Sequence, residues 1–317
     1  MIRGVPVKAI IWFELMFLVL APTVLAAGKI SIFVSIPPQK YHVERIGGDL
    51  VAVSVMAEPG ADPHTFDPKP QQMVSLSKAD IYFALGIGFE KAWLKKINAV
   101  NPGMQIVYTD SGIQKIPMTA HQRHGDNARK HPETPPGSGP GRAASTGAEH
   151  HPGSLDPHVW LSPPLVMIQA RHILNALVSI DPAHGAMYAA NYKDFLAELV
   201  DLDLELIDIF SKRGKRHQFI VFHPAWGYFA HAYGLEQVSI EFEGKAPKPA
   251  QLIALIDYAK KQGIKVIFVQ PQFSTKSAQI VAQEIGGQVT LADPLALDWA
   301  DNIRRQAAIF KSLLIKE

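Results

Sequence analysis

The sequence predicts an α/β fold of two halves, each a parallel four-stranded sheet flanked by helices, joined by one long rigid helix. Three observations carry that prediction. Short apolar runs rich in β-branched residues alternate with segments whose apolar residues recur at three- and four-residue spacing. The alternation occurs twice, with four strands in each half. Between the halves lies an unusually long stretch of helical periodicity, MYAANYKDFLAELVDLDLELIDIF.

Taken in chain order, residues 1–26 read as a cleaved export signal. Arg3 and Lys8 give a basic start, residues 15–21 (LMFLVLA) an apolar run, and Val24-Leu25-Ala26 small residues before a mature start at Ala27 or Gly28. Glu14 weakens the insertion signal, but the apolar run is short for an anchor and ends at Pro22. No cysteine follows it to carry a lipid, so the expectation is a bacterial periplasmic protein without a lipid anchor.

The first half, residues 27–183, should hold strands at 30–36, 51–57, 81–85 and 105–109, with helices near 39–47, 70–77 and 89–100. A helix over 163–179 follows. Residues 184–213 form the linking helix, with acidic residues on its exposed side, acting as a stiff strut. The second half, 214–317, should hold strands at 217–222, 237–242, 266–270 and 288–293 and helices at 225–233, 249–262, 275–285 and 297–314. One segment breaks the pattern: residues 120–154 contain no Leu, Ile, Val, Met or aromatic residue. Such a tract buries too little apolar surface to offset its ordering entropy, so a mobile loop is expected. It carries His121, His124, His131, His150 and His151, which points to auxiliary metal contacts rather than passive drift.

Composition narrows the chemistry. With 31 basic and 29 acidic residues among 317, the net charge of +2 argues against nucleic-acid binding. The lack of repeated long apolar runs excludes a multi-pass membrane protein. Zero cysteines against 13 histidines excludes disulfide frameworks, cysteine zinc fingers, iron–sulfur clusters and thiol nucleophiles. Metal or acid–base chemistry must therefore use His, Asp and Glu.

In parallel sheets, ligands bind beyond the carboxyl ends of the strands. The strand at 51–57 runs into Glu58-Pro59-Gly60-Ala61-Asp62-Pro63-His64; that at 217–222 runs into His223-Pro224; that at 288–293 ends in Asp293-Pro294. Asp156-Pro157-His158 repeats the triplet of residues 62–64, and the prolines stiffen the main chain beside each side chain. Singly these are weak signals, since a loop histidine is usually a surface residue and a strand-ending Asp is commonly a cap. Together, His64, His158, His223 and Asp293 offer three imidazoles and a carboxylate, a set suited to a four-coordinate divalent ion, zinc first.

The segments PGADPHTFDPKP (59–70), LDPHVWLSP (155–163), FHPAWGYFA (222–230), FVQPQFS (268–274) and LADPLA (291–296) resemble, in order, the zinc-binding periplasmic solute-binding proteins of bacterial ABC transporters, the ZnuA-like group. The resemblance spans the mature chain. It implies two α/β lobes on a long helix with the metal in the cleft between them, His64, His158 and His223 as imidazole ligands, and Asp293 in the fourth position. It also implies Zn2+ as the transported ligand and an ABC permease of the inner membrane as partner, with the chain acting as a monomer rather than an enzyme. Manganese-binding relatives generally carry Glu where this chain has His223, while Gln270 replaces an expected Glu. Asp62 and Asp156 are candidate supports for the ligands.

Rival readings are a manganese-, iron- or copper-binding member of the same group, a zinc hydrolase using the three histidines, and a surface adhesin. The hydrolase lacks an HExxH-type general base, and Asp293 would close its open position. His42, His172, His184, His217 and His231 are explained by packing or solvation, as are the Lys245–Lys248 and Lys260–Lys265 faces. Trp160, Trp226 and Phe229 are expected to form the dry wall of the cleft. The Gly86–Gly88 pair lacks the rest of a dinucleotide fingerprint.

Overall fold

The computed structural model describes residues 28–118, 155–211, 218–241 and 247–314. The expected export signal, His217, Phe242, Lys245 and the segment bearing His121, His124, His131, His150 and His151 lie outside the described residues.

The N-terminal sheet comprises β1 (Ile30–Val34), β2 (Val51–Val55), β3 (Ile81–Ala84) and β4 (Gln105–Tyr108), all parallel, in the order β2-β1-β3-β4. Helices α1 (Pro37–Gly47), α2 (Pro70–Leu76) and α3 (Gly88–Val100) connect them, and α4 (Pro163–Ile180) and α5 (Gly185–Ser211) follow. The C-terminal sheet repeats the order as β6-β5-β7-β8, with β5 (Gln218–Val221), β6 (Glu236–Ser239), β7 (Val266–Val269) and β8 (Gln288–Leu291). Its helices are α6 (Gly227–Ala232), α7 (Pro249–Gln262), α8 (Lys276–Glu284) and α9 (Trp299–Leu314). Prolines open α1, α2, α4 and α7, where a missing N–H costs nothing.

Every predicted strand overruns its observed carboxyl end by one to three residues. The physical reason is burial that outlasts pairing. Ile36, Met56, Ala57, Leu85 and Phe222 lie past the last strand residue yet remain buried under the loops.

Side-chain alternation builds two cores. Phe219, Val221, Val266 and Phe268 face a core that runs without a break through α9, α5 and the N-terminal sheet. Ile220, Phe222, Ile267 and Val269 face a second core closed by α7 and α8. The lobes therefore share one apolar interior.

Helix α5, 27 residues long, is tied to both lobes by its acids. Glu198 accepts from Tyr41 and Arg45 of α1, Asp203 accepts from Tyr233, and Glu205 accepts from Arg304 of α9. The expected acidic outer face is thus a mixed one: Asp201 and Asp208 are exposed beside Val200, Leu204 and Ile207.

Both sheets reverse direction of strand addition at the same place, between β1 and β3 and between β5 and β7. Open parallel sheets form their ligand crevices beyond the carboxyl ends at such points.

Candidate metal centre

The first imidazole comes from the loop after β2. Met56 and Ala57 extend the ladder by donating to Val34 O and Ser35 O, and Gln72 Nε2 donates to Met56 O at 2.7 Å. The chain then turns at Asp62-Pro63-His64, where Asp62 Oδ1 accepts from the His64 N–H at 2.9 Å, a local turn that Asp favours. Packing of Phe66 on Phe89 and the bond from Trp93 Nε1 to Asp67 fasten this loop to α3. Of the Gly86–Gly88 pair, Gly86 adopts φ +77°, a conformation that favours glycine, and Gly88 opens α3 beside His64.

The second imidazole repeats the turn. Asp156 Oδ1 accepts from the His158 N–H at 2.9 Å and also lies 2.7 Å from His158 Nδ1. Asp156 is itself set against the C-terminal lobe: Tyr228 Oη donates to its carbonyl, and a Cβ on Gly227 would lie 2.6 Å from its Oδ2. Trp160 Nε1 donates to Pro294 O, and Trp299 Nε1 donates to Trp160 O. Residues 156–160 thus belong to the first half by sequence and bond to the second.

His223 follows β5 by two residues. Register decides its neighbours. Val221 pairs with Ser239 of β6 and with Phe268 of β7, so Glu241 and Gln270 lie level with His223 on either side. Glu241 Oε2 is 2.7 Å from His223 Nδ1. Gln270 clamps the His223 main chain, accepting from its N–H and donating to its carbonyl. A glutamate at 270 would lack that donor, so the departure from the expected Glu has a structural use. Phe273 stacks on the His223 ring at 5.2 Å and 26°.

These elements bring His64, His158 and His223 together, with one nitrogen from each within 4.8 Å of the others. His158 and His223 are almost fully buried, and His64 is half-buried. His158 Nε2 and His223 Nε2 face each other at 3.3 Å. Both Nδ1 atoms point at carboxylates, which only accept, so the ring protons belong on Nδ1 and the two Nε2 atoms present lone pairs. Two lone pairs so close repel unless a cation sits between them. Two donors on a tetrahedral ion with bonds of about 2.0–2.1 Å stand about 3.3–3.4 Å apart. Burial lowers the His158 pKa below its ordinary value despite the opposing pull of Asp156, so the ring is a neutral donor at neutral pH.

Asp293 is not in this group of three. Its Oδ1 accepts from Leu295 N at 2.9 Å and Gln272 Nε2 at 3.3 Å, the turn-making role a strand-ending Asp often takes. Trp160 borders His158 with ring centroids 5.1 Å apart, whereas Trp226 and Phe229 pack on Phe310 within the shared core. The aromatic wall against His223 is Phe273, which sequence inspection missed. Glu241 was missed as well. The only sequence signal for it is an acid two residues beyond the strand next to that of His223.

A profile of the family described as zinc-uptake complex component A, periplasmic (ZnuA), matches residues 32–312, which include all three histidines. The chain belongs to the ZnuA family. Among relatives, a putative metal-binding protein of Treponema pallidum is 30% identical over 265 residues, covering 82% of this chain and 78% of that protein. The high-affinity zinc uptake system protein ZnuA of Bacillus subtilis is 28% identical over 271 residues, covering 84% and 79%. The zinc-binding protein AdcA of Streptococcus pyogenes is 28% identical over 279 residues; the match covers 87% of this chain and 52% of AdcA, so the chain spans about half the length of that relative. A crystal structure of ZnuA superposes with a TM-score of 0.78 at 41% identity, covering 90% of this chain and 99% of that one. A zinc-bound ZnuA lacking residues 138–173 of its own numbering gives 0.79 at 40% identity, covering 91% and 99%. The predicted α/β class with two four-stranded parallel sheets and a long linking helix is the observed fold.

Proposed function

We propose that the chain captures zinc outside the cytoplasm, in the periplasm, through His64, His158 and His223 and delivers it to an ABC permease in the inner membrane, acting as a binding protein rather than an enzyme. The observation that carries this reading is the pair of Nε2 atoms facing each other at 3.3 Å, with His64 completing the trio. Imidazole donors in a closed, aromatic-walled site suit zinc better than the oxygen-rich cages of manganese or calcium. The buried charges agree in sign: the Asp156 and Glu241 carboxylates behind two of the imidazoles offset the charge of a dication. Asp293 is the proposed fourth donor through Oδ2, since both hydrogen bonds to its carboxylate fall on Oδ1. The histidines of residues 120–154 are proposed as weak auxiliary sites that raise the local zinc concentration.

Calorimetry and native mass spectrometry of protein never exposed to a nickel column test the reading. His64→Ala, His158→Ala and His223→Ala should each weaken tight zinc binding by more than about 100-fold. Unchanged affinity in any one removes that residue from the site, and stoichiometric manganese in the tight site overturns the assignment to zinc. Deleting residues 122–151 should remove the weak sites and spare the tight one.

A further inference from the structure

We infer that Glu241 is a positioning residue for zinc capture: by accepting the Nδ1–H of His223 it presets that ring as an Nε2 donor before any ion arrives. The inference rests on the proposed zinc site. Its first support is the backbone. Ile240 N donates to Val221 O at 2.8 Å and Glu241 N to Phe222 O at 3.0 Å, so the β5–β6 ladder continues past both strand ends and holds Glu241 level with His223. The second is burial. Glu241 is 8% exposed and His223 3%, so the 2.7 Å contact is shielded from competing water. The third is that the ring has little freedom to turn away: Phe273 stacks on it and Gln270 holds its main chain by both polar atoms.

A neutral imidazole has one N–H and one lone pair, and the partner of one nitrogen dictates the role of the other. Glu241→Ala removes the carboxylate that accepts at Nδ1, and with it the bias against the Nε2–H tautomer. That tautomer turns an N–H toward His158 Nε2, which satisfies the lone pair there and closes the position an ion needs. Glu241 therefore keeps the two Nε2 lone pairs opposed at 3.3 Å, an arrangement only a cation relieves. It mirrors Asp156, which serves His158 in the same way, so each of these two donors has a buried carboxylate of its own lobe behind it. The carboxylate adds a second effect: its charge makes the imidazole a stronger donor and offsets one charge of a dication.

Two variants separate tautomer from charge. Glu241→Gln keeps an acceptor oxygen at Nδ1 and loses the charge; Glu241→Ala loses both. Zinc affinity should fall about tenfold in the first and about 100-fold in the second. In the metal-free full-length protein, 15N imidazole shifts should report His223 with its proton on Nδ1 in the wild type and in Glu241→Gln, and a mixture or the Nε2–H form in Glu241→Ala. The visible spectrum of bound Co2+ should keep its shape in Glu241→Gln and change in Glu241→Ala. Circular dichroism and thermal midpoints identify an unfolded variant, and if Glu241→Ala fails to fold, the affinity of Glu241→Gln decides. Wild-type affinity within twofold in Glu241→Gln and in every folded Glu241 variant, alongside lost binding in His223→Ala, overturns the role of Glu241 and leaves the zinc site standing. Undiminished binding in His223→Ala overturns the site itself.

Discussion

His42 should make the protein acid-labile by an amount that one substitution removes. It lies on α1, fully buried, between Phe195 of α5 and Trp299 of α9, with ring centroids at 5.9 Å and 4.9 Å. Among the described residues neither ring nitrogen has a hydrogen-bond partner, so none of them stabilises a charge there. Burial alone pushes its pKa from 6.5 down to about 3. A base with a depressed folded-state pKa binds its proton more tightly when unfolded. Its contribution to stability is therefore fully present above pH 6.5 and is lost as pH falls from there toward 3. Each pH unit below 6.5 costs about 1.4 kcal/mol, so moving from pH 7.5 to 4.5 should remove about 3 kcal/mol through His42. His42→Phe keeps an aromatic ring among Tyr41, Phe195 and Trp299 and cannot take up a proton. Repacking around the larger ring shifts stability by a constant, so the quantity to read is the change with pH. Urea unfolding of both proteins with a metal chelator, at pH 7.5 and 4.5, gives that change. The continuous core through both lobes favours one cooperative transition. The variant should gain about 3 kcal/mol relative to wild type on acidification, other titrating groups cancelling in the comparison. A difference that stays constant with pH refutes the reasoning and means that the ring is wet or paired in solution.

Glu90 should act in the opposite direction. Its carboxylate, buried at the start of α3, accepts from Leu85 N, Gly86 N and Ser35 Oγ, yet burial dominates and raises its pKa from 4.5 to about 7. Its contribution to stability is complete below pH 4.5 and is lost as pH rises through 7. Glu90→Gln should therefore gain about 2–3 kcal/mol on wild type between pH 5 and pH 8 in urea titrations, and no gain would show that the carboxylate is hydrated. Gly227→Ala places a methyl group 2.6 Å from Asp156 Oδ2 and 3.0 Å from Gln237 Nε2. It should cost about 1–3 kcal/mol of stability. By displacing Asp156 it should also weaken zinc binding about tenfold by calorimetry; unchanged affinity would mean that Asp156 has room to move.

What the sequence reveals follows the range of the physics involved. Val, Ile and Phe runs announce strands because both faces of a parallel sheet are buried, and prolines announce helix starts because they restrict local φ. Both effects act within a few residues. The three histidines were also legible, since each sits beside a proline within a segment resembling the family, His64 and His223 beyond strand ends and His158 in a repeat of the Asp-Pro-His triplet. Glu241 and Gln270 were not, because their roles come from register: they matter only when β5 is known to lie between β6 and β7. Asp293 is ambiguous for a different reason: a strand-ending Asp reads alike in sequence whether it makes a turn, binds an ion or does both.

The bonding pattern also says how the three imidazoles can be reached. Trp160 Nε1 to Pro294 O, Trp299 Nε1 to Trp160 O and Tyr228 Oη to Asp156 O fasten the His158 segment to the lobe that carries His223. Opening the lobes about α5 would have to break these bonds and split one continuous apolar core. His158 and His223 are each at most 3% exposed, so they form a fixed pair at the back of the site. His64 is half-buried, on a loop held by its Asp62 turn and, through Phe66 on Phe89 and Trp93 Nε1 to Asp67, by α3. His64 is the most exposed of the three, so the expected route for an ion is on the His64 side, and a crosslink that holds the lobes together should leave zinc uptake by the site intact.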